Sequence, residues 1–191
     1  MRILQIAPQI PYPLSDGGKV GIFNITKYLA LRGHKITLLA FDRDGLVDVT
    51  PLQTFCELVT IRRSSENSKV GAFFNLFSST PYNISKYRSR KFHAALSKLL
   101  ACRRFDVVHV DHLHMAHYGV LCKSVADLPF VLREHNVESA IMERFLARLG
   151  SALFRMYVDS QLAQLRKYEA EMLLKVDCCC AITQTDAEQI R

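Results

Sequence analysis

Histidine and aspartate are concentrated in the run His109-Val110-Asp111-His112-Leu113-His114, which His117 follows. Imidazole and carboxylate groups ligate zinc, and imidazole also hydrogen-bonds a sugar hydroxyl or, when protonated, carries charge beside a phosphate. The order of residues is neither the HxHxDH of metallo-hydrolases nor HExxH. The run therefore favours polar ligand contacts by Asp111 and His112 over a metal site, and structural hydrogen bonding is the alternative.

A second polar run is Arg133-Glu134-His135-Asn136-Val137-Glu138, directly after an apolar stretch. Such a cluster favours a binding rim over a solvated loop. Glu134 and Glu138 would be a carboxylate pair of the kind that glycosidases use, although nothing in their spacing requires it. A Ser-His-Asp triad is not supported, since there is no GxSxG elbow.

The glycine pair Gly17-Gly18 is the third candidate. Adjacent glycines let backbone N–H groups approach an anion, and the start of a helix favours negative charge. The spacing is neither GxGxxG nor GxxxxGK[ST], so a dinucleotide fingerprint and a P-loop are both unsupported. A plain tight turn explains the pair equally well.

Short apolar runs that alternate with helical stretches must position these residues. The runs predict six strands, at residues 3–7, 36–41, 55–61, 106–110, 129–133 and 177–182. The first helix is predicted to have Val20, Phe23, Ile25, Tyr28 and Leu29 on one side and to stop at Arg32-Gly33. This alternation implies an α/β fold whose parallel sheet is covered on both faces, with ligands beyond the carboxyl ends of the strands.

Length and composition fit one globular domain. The chain has 191 residues, 49% of them hydrophobic, and a net charge of +7. No apolar run approaches the ~20 residues that cross a bilayer, and the N-terminus is too short for a signal peptide. Its six cysteines include no CxxC pair and are interpreted as small buried residues. These features predict a cytoplasmic location.

The positive charge is concentrated in residues 62–104, where ten Lys or Arg accompany a single acid, Glu66. Aromatic residues are interleaved with them, a composition that suits an anionic surface. We expect Arg88, Arg90 and Lys91 to contact anionic membrane headgroups at the inner face of the membrane. A solvated helix face is the alternative, and nucleic acid is disfavoured because no nucleic-acid module is recognisable.

Six stretches, distributed along the whole chain, belong together in order. They are Ile3-Leu4-Gln5-Ile6-Ala7-Pro8 with Pro11-Tyr12-Pro13, Asp16-Gly17-Gly18-Lys19, the segment 29–39, Phe105-Asp106-Val107-Val108-His109-Val110, the segment 133–139, and the segment from Asp177 to Asp186. As an ordered set they resemble the N-terminal half of a GT-B glycosyltransferase of retaining family four.

The resemblance implies two Rossmann-like domains, of which residues 1–191 form the N-terminal, acceptor-side one. A donor-binding C-terminal domain would lie outside this chain, so the fragment alone is expected to be inactive. The implied enzyme is a hexosyltransferase of cell-envelope polysaccharide synthesis. It would move sugar from a nucleotide-sugar to a glycan, lipid-linked or small-molecule acceptor with retention, and without a metal or other cofactor.

The resemblance also assigns roles. Gly17, Gly18 and Lys19 would approach the donor diphosphate or the acceptor. His112, with Asp111, would act near the donor sugar, and the acceptor side would be lined by Glu134, His135 and Asn136. Retaining transfer in this fold is expected to need no protein base, since the leaving diphosphate assists the incoming hydroxyl. A GT-B sugar-nucleotide epimerase and a non-catalytic Rossmann-like binding domain are the alternatives.

Overall fold

Six parallel strands form one sheet in the computed structural model, which describes residues 1–43, 45, 48–63, 78 and 80–190. The strands are β1 Arg2–Ala7, β2 Lys35–Asp42, β3 Glu57–Arg62, β4 Val107–Asp111, β5 Phe130–Glu134 and β6 Cys178–Ala181. Their order is β3-β2-β1-β4-β5-β6. All six predicted strands are present with ends displaced by one or two residues, which confirms the α/β, Rossmann-like fold class.

Helices connect the strands and cover both faces of the sheet. They are α1 Gly17–Leu31, α2 Thr50–Gln53, α3 Tyr82–Ser85, α4 Arg90–Cys102, a 3₁₀ turn Leu113–Met115, α5 Ala116–Ala126, α6 Glu138–Leu146, α7 Ala152–Leu173 and α8 Gln184–Ile190. None of the helices in the described residues is long and apolar enough to span a membrane.

The strand side chains alternate between two cores. In β1, Leu4 and Ile6 face the core under α4, α5 and α7. Ile3 and Ala7 face the smaller core under α1 and α2. Because neighbouring strand residues point to opposite faces, Gln5 lies on the α1 side, between Ile3 and Ala7.

Helix α1 begins where Asp16 caps it, its carboxylate Oδ1 accepting a hydrogen bond of 2.9 Å from the backbone N–H of Lys19. It ends before Gly33, whose φ of +83° suits glycine. The predicted apolar side is confirmed at Phe23, which is buried, and at Leu29, which packs against the same core. It is wrong at Tyr28, which is 60% exposed, and Ile22 and Thr26 are buried instead. The periodicity misled because the buried face includes a polar residue that has a hydrogen-bond partner on the sheet.

Two further expectations meet the structure differently. The cysteines are not uniformly buried: Cys102, Cys178 and Cys180 are exposed, and the last two belong to β6, an edge strand. Residues 62–104 are also predicted to form two helices separated near Pro81. Most of the first of these, at residues 64–77 and 79, lies outside the described residues. Beyond Pro81, the side chains of Arg88, Arg90 and Lys91 are exposed around the start of α4.

Helix α5 packs so closely on the sheet that only glycine fits at position 119. A methyl group there would lie 2.4 Å from Cε2 of Phe130, a fully buried ring. We expect Gly119→Ala to lower the free energy of unfolding by about 1–3 kcal/mol through overpacking, measured by urea denaturation. Gly150→Ala is the matched control, because nothing lies within 4 Å of its new methyl group. Equal stability of the two variants would contradict this account.

Candidate functional site

The two polar runs and the glycine pair lie together at one edge of the sheet, the edge formed by the carboxyl ends of the strands, as predicted. They follow β1, β4 and β5, which are adjacent, and every strand pair is parallel. Between β1 and β4 the strand order reverses, because β1 also pairs with β2 on its other side. Ligands of open α/β sheets bind at such a switch point, beyond the carboxyl ends of the strands.

The Asp111 carboxylate, which is fully buried, lies at the centre of this edge. Oδ2 accepts a hydrogen bond of 2.9 Å from Nε2 of Gln5. Oδ1 accepts one of 3.0 Å from Nη1 of Arg133, which also contacts Nε2 of His135. Gln5 is itself oriented by Thr26 of α1, whose hydroxyl donates to Oε1 over 2.7 Å. One network thus joins α1, β1, β4 and β5.

Asp111 stays ionised although it is buried. Burial raises the pKa of its carboxyl, but the neighbouring His109 and the polar contacts from His135, Gln5 and Arg133 outweigh that effect and hold the pKa well below its ordinary value. Nδ1 of His109 lies 3.7 Å from Oδ2, and burial lowers the pKa of that imidazole. Burial thus disfavours charge on His109, whereas the Asp111–Arg133 pair beside it is ionised.

Gly21 makes room for Arg133. A methyl group on Gly21 would lie 2.6 Å from Nη2 of Arg133. The guanidinium therefore occupies the space that a side chain at position 21 would need. Sequence reasoning missed this contact and the roles of Gln5 and Thr26. The available signal was Gln5 itself, a polar residue within an apolar strand, since buried polar groups require partners.

His112, predicted to be catalytic, lies next to this network on an unusual backbone. Its φ is 71° and its ψ 140°, a region that non-glycine residues rarely adopt and that costs about 1–3 kcal/mol. Its ring stacks on His135 with centroids 3.7 Å apart. Burial and His135 lower the pKa of His112 to about 3, so the imidazole is neutral at pH 7. It can hydrogen-bond a ligand but carries no charge.

The glycine pair faces this histidine. A methyl group on Gly18 would lie 3.9 Å from Nε2 of His112 and 3.1 Å from Oδ1 of Asp16. Gly17 is exposed with nothing within 4 Å of such a group, whereas Lys19 is buried in the first turn of α1. The structure thus brings together the start of α1 and the turn after β4.

Glu134, the last residue of β5, is buried, whereas Asn136, two residues later, is exposed. The Glu134 side chain is buried, and neither carboxylate oxygen has a hydrogen-bond partner among the described residues. Burial, reinforced by Glu169 and Glu138, raises the pKa of Glu134 to about 8. Glu138, whose pKa is raised to about 7 by burial and by Glu169, has Oε2 3.8 Å from Nε2 of His114.

No group of three or more His, Cys, Asp or Glu side chains in the described residues is placed to hold a metal ion. The donor set at this edge consists instead of two stacked imidazoles, His112 and His135, beside an ion pair. Such groups are suited to hydrogen-bonding hydroxyl and phosphate oxygens.

The sequence profile of Glycosyltransferase Family 4 matches residues 15–191. This range is most of the chain and includes both polar runs and the glycine pair. The chain belongs to glycosyltransferase family 4. No curated protein matches it.

The family 4 chain is also similar in fold to solved GT-B glycosyltransferases. Sucrose-phosphate synthase of Thermosynechococcus elongatus superposes with a TM-score of 0.57 at 12% identity, over 94% of this chain and 42% of that one. UGT2 of Phytolacca americana without ligand gives 0.55 at 10% identity, over 99% and 47%. The same UGT2 in complex with UDP-2fluoro-glucose and pterostilbene gives 0.54 at 10% identity, over 99% and 48%. The chain therefore spans less than half the length of these structures.

The raised pKa values of Glu134 and Glu138 predict a stability that depends on pH. In the unfolded chain these carboxyls lose their protons near pH 4.3. In the folded state they keep them to a higher pH. The free energy of unfolding therefore falls as pH rises, by up to about 1.4 kcal/mol per unit and group, until pH passes the folded pKa. The buried histidines after β4 have lowered pKa values and act in the opposite direction only below about pH 6.5.

Glu134→Gln should therefore flatten the fall in unfolding free energy between about pH 6.5 and 8. The measurement is urea denaturation at several pH values. Glu171→Gln, at an exposed position of α7, is the control and should leave the profile unchanged. An identical slope in Glu134→Gln and the wild type would show that Glu134 is ionised in the folded protein.

Proposed function

We propose that this family 4 domain serves a hexosyltransferase that moves sugar, with retention, from a nucleotide-sugar to a glycan or lipid-linked acceptor in cell-envelope polysaccharide synthesis. The observation that carries the proposal is the stacked pair of imidazoles, His112 and His135, held beside the Asp111–Arg133 ion pair and opposite Gly18. The pair lies at the switch point of the sheet. The fold is the one that UGT2 uses, and UGT2 has been solved with UDP-2fluoro-glucose bound, which supports a nucleotide-sugar as the donor.

The chemistry of these groups fits transfer without a protein base. A neutral imidazole at His112 can donate a hydrogen bond to a sugar hydroxyl without paying for desolvation of a charge. The N–H groups at Gly17 and Gly18 start α1, where its dipole favours the diphosphate of a donor or a phosphate of the acceptor. The leaving diphosphate would then take the proton of the incoming acceptor hydroxyl.

The remaining assignments follow from position. His135 and the exposed Asn136 are on the rim where an acceptor would enter. Glu134 is buried behind them, so its part in acceptor binding would pass through residues in front of it. The donor would be held mainly by a second domain following this one, and neither a metal nor another cofactor would be needed.

Replacement of His112 tests the proposed site. His112→Gly removes the imidazole and suits the positive φ, so the unfolding free energy should stay within about 1 kcal/mol of the wild type. In the enzyme with its donor domain, transfer should fall about 100-fold, the scale of losing one preorganised hydrogen-bond donor. The assay follows nucleotide release and glycosylated product, with His93→Gly at an exposed position of α4 as control. Wild-type turnover would reject the role of His112.

The same enzyme is proposed to work at the inner membrane face through the basic residues at the start of α4. Charge reversal at Arg88, Arg90 and Lys91 should weaken binding to anionic vesicles at least tenfold, and salt should weaken wild-type binding. Vesicle co-sedimentation is the measurement. Reversal of Lys27, Arg32 and Lys35, which lie in α1, directly after it and at the start of β2, is the control with the same change of charge. Equal binding by both triple variants would contradict a specific contact.

A further inference from the structure

The antiparallel hairpin of α6 and α7 extends away from the sheet at the site edge. Helix α6 begins just after β5 at that edge, and α7 leads back to β6 at the opposite edge. The backbone N–H of Glu138 donates to Glu169 over 2.9 Å, and further out Glu143 pairs with Arg166. Because later residues of α6 meet earlier residues of α7, the hairpin tip, residues 143–157, lies beyond Met142, the last residue of α6 that packs against the core.

This hairpin tip exposes large apolar side chains. In α7, burial starts only at Val158, so the six preceding residues of the helix extend about 9 Å beyond the packed part. The exposed fraction is 80% for Leu153 and 71% for Met156. Phe145 and Phe154, each about half exposed, contact edge to face with centroids 6.4 Å apart, which joins the two helices. Phe145 and Phe154 thus form one apolar surface across both helices.

Arginines surround this patch. Residues 143–157 include Arg144, Arg148 and Arg155, all exposed, and the only acid among them is Glu143, which forms an ion pair with Arg166. None of the three arginines forms an ion pair within the described part of the chain. Apolar and aromatic side chains surrounded by unpaired cations complement an interface in which acyl chains lie beneath anionic headgroups.

The hairpin lies on the same face of the sheet as α4. Leu165 and Phe92 belong to the same core, and the backbone N–H of Tyr82, in α3, donates to Oε1 of Gln161 over 2.8 Å. The exposed Arg88, Arg90 and Lys91 follow α3 directly. The apolar tip and the basic start of α4 are therefore features of one side of the molecule.

We propose that the hairpin tip inserts Leu153, Phe154 and Met156 into the headgroup region of an anionic bilayer, with Arg144, Arg148 and Arg155 on lipid phosphates. This inference extends the membrane contact of the proposed function but needs no transferase activity. An end of α7 that extends about 9 Å along its axis is long enough to reach the boundary of headgroups and acyl chains, about 5–10 Å deep. Inserted there, the hairpin holds the site edge toward the lipid surface.

The chain contains no tryptophan, so a single introduced indole reports on insertion. In Leu153→Trp, emission should shift to shorter wavelength on vesicles of phosphatidylcholine with about 30% phosphatidylglycerol, and lipids brominated on the acyl chain should quench it. Leu174→Trp is the matched control, because Leu174 is 88% exposed at the other end of α7. Its emission should not change. If vesicle-bound Leu153→Trp behaves like the control, the proposal is overturned.

A second variant measures the contribution of the apolar tip. Leu153→Ser combined with Met156→Ser should reduce partitioning onto these vesicles at least tenfold, and both positions are exposed enough for folding to be unaffected. Transfer to a water-soluble acceptor should be unchanged, which separates this inference from failure of the proposed reaction. Unchanged partitioning would overturn the proposal. So would concentration-dependent dimerisation that this double variant abolishes, since a second copy of the chain would then cover the tip.

Discussion

The arrangement at the carboxyl edge of the sheet depends on one buried negative charge. The Asp111 carboxylate has no access to water, and an unpaired charge in such a place would cost several kcal/mol. Gln5 and Arg133 satisfy it from the two strands that flank β4. Loss of either partner would remove one hydrogen bond from the buried carboxylate, leaving the other partner with His109 and His135 to compensate its charge. The strand order, with β4 between β1 and β5, is therefore a requirement of the site as well as of the core.

Burial sets the electrostatic character of the groups around that charge pair. It lowers the pKa of His109 and His112 and raises the pKa of Glu134 and Glu138. The edge therefore holds hydrogen-bonding groups at fixed positions with little net charge of its own. A ligand that brings negative charge, such as a diphosphate, meets no carboxylate repulsion from protonated Glu134, and it gains from the start of α1.

The sequence predicted the sheet well because short apolar runs that alternate with helical stretches are typical of buried parallel strands. Because ligands of parallel sheets bind beyond the carboxyl ends of the strands, the sequence also predicted that both polar runs and the glycine pair would lie at that edge. It did not predict that Asp111 would be fully buried, nor that Thr26 of α1 would be buried with its hydroxyl within hydrogen-bond distance of Gln5 Oε1 and of the Ile22 carbonyl oxygen. Periodicity in one segment cannot show a partner in another. The cysteines of β6 were misinterpreted for a related reason: an edge strand is not covered like a central one.

The span of the Gln5–Asp111 hydrogen bond has a consequence for biosynthesis. The two residues are 106 positions apart, and Arg133 follows 22 positions later. As the chain leaves the ribosome, β1 can pair with β2 and close the smaller core long before β4 exists. Until β4 and β5 emerge, the amide of Gln5 has no carboxylate to meet, and its half of the sheet presents an unpaired edge, a feature that favours aggregation. The nascent chain is thus most vulnerable during synthesis of the long segment between β3 and β4.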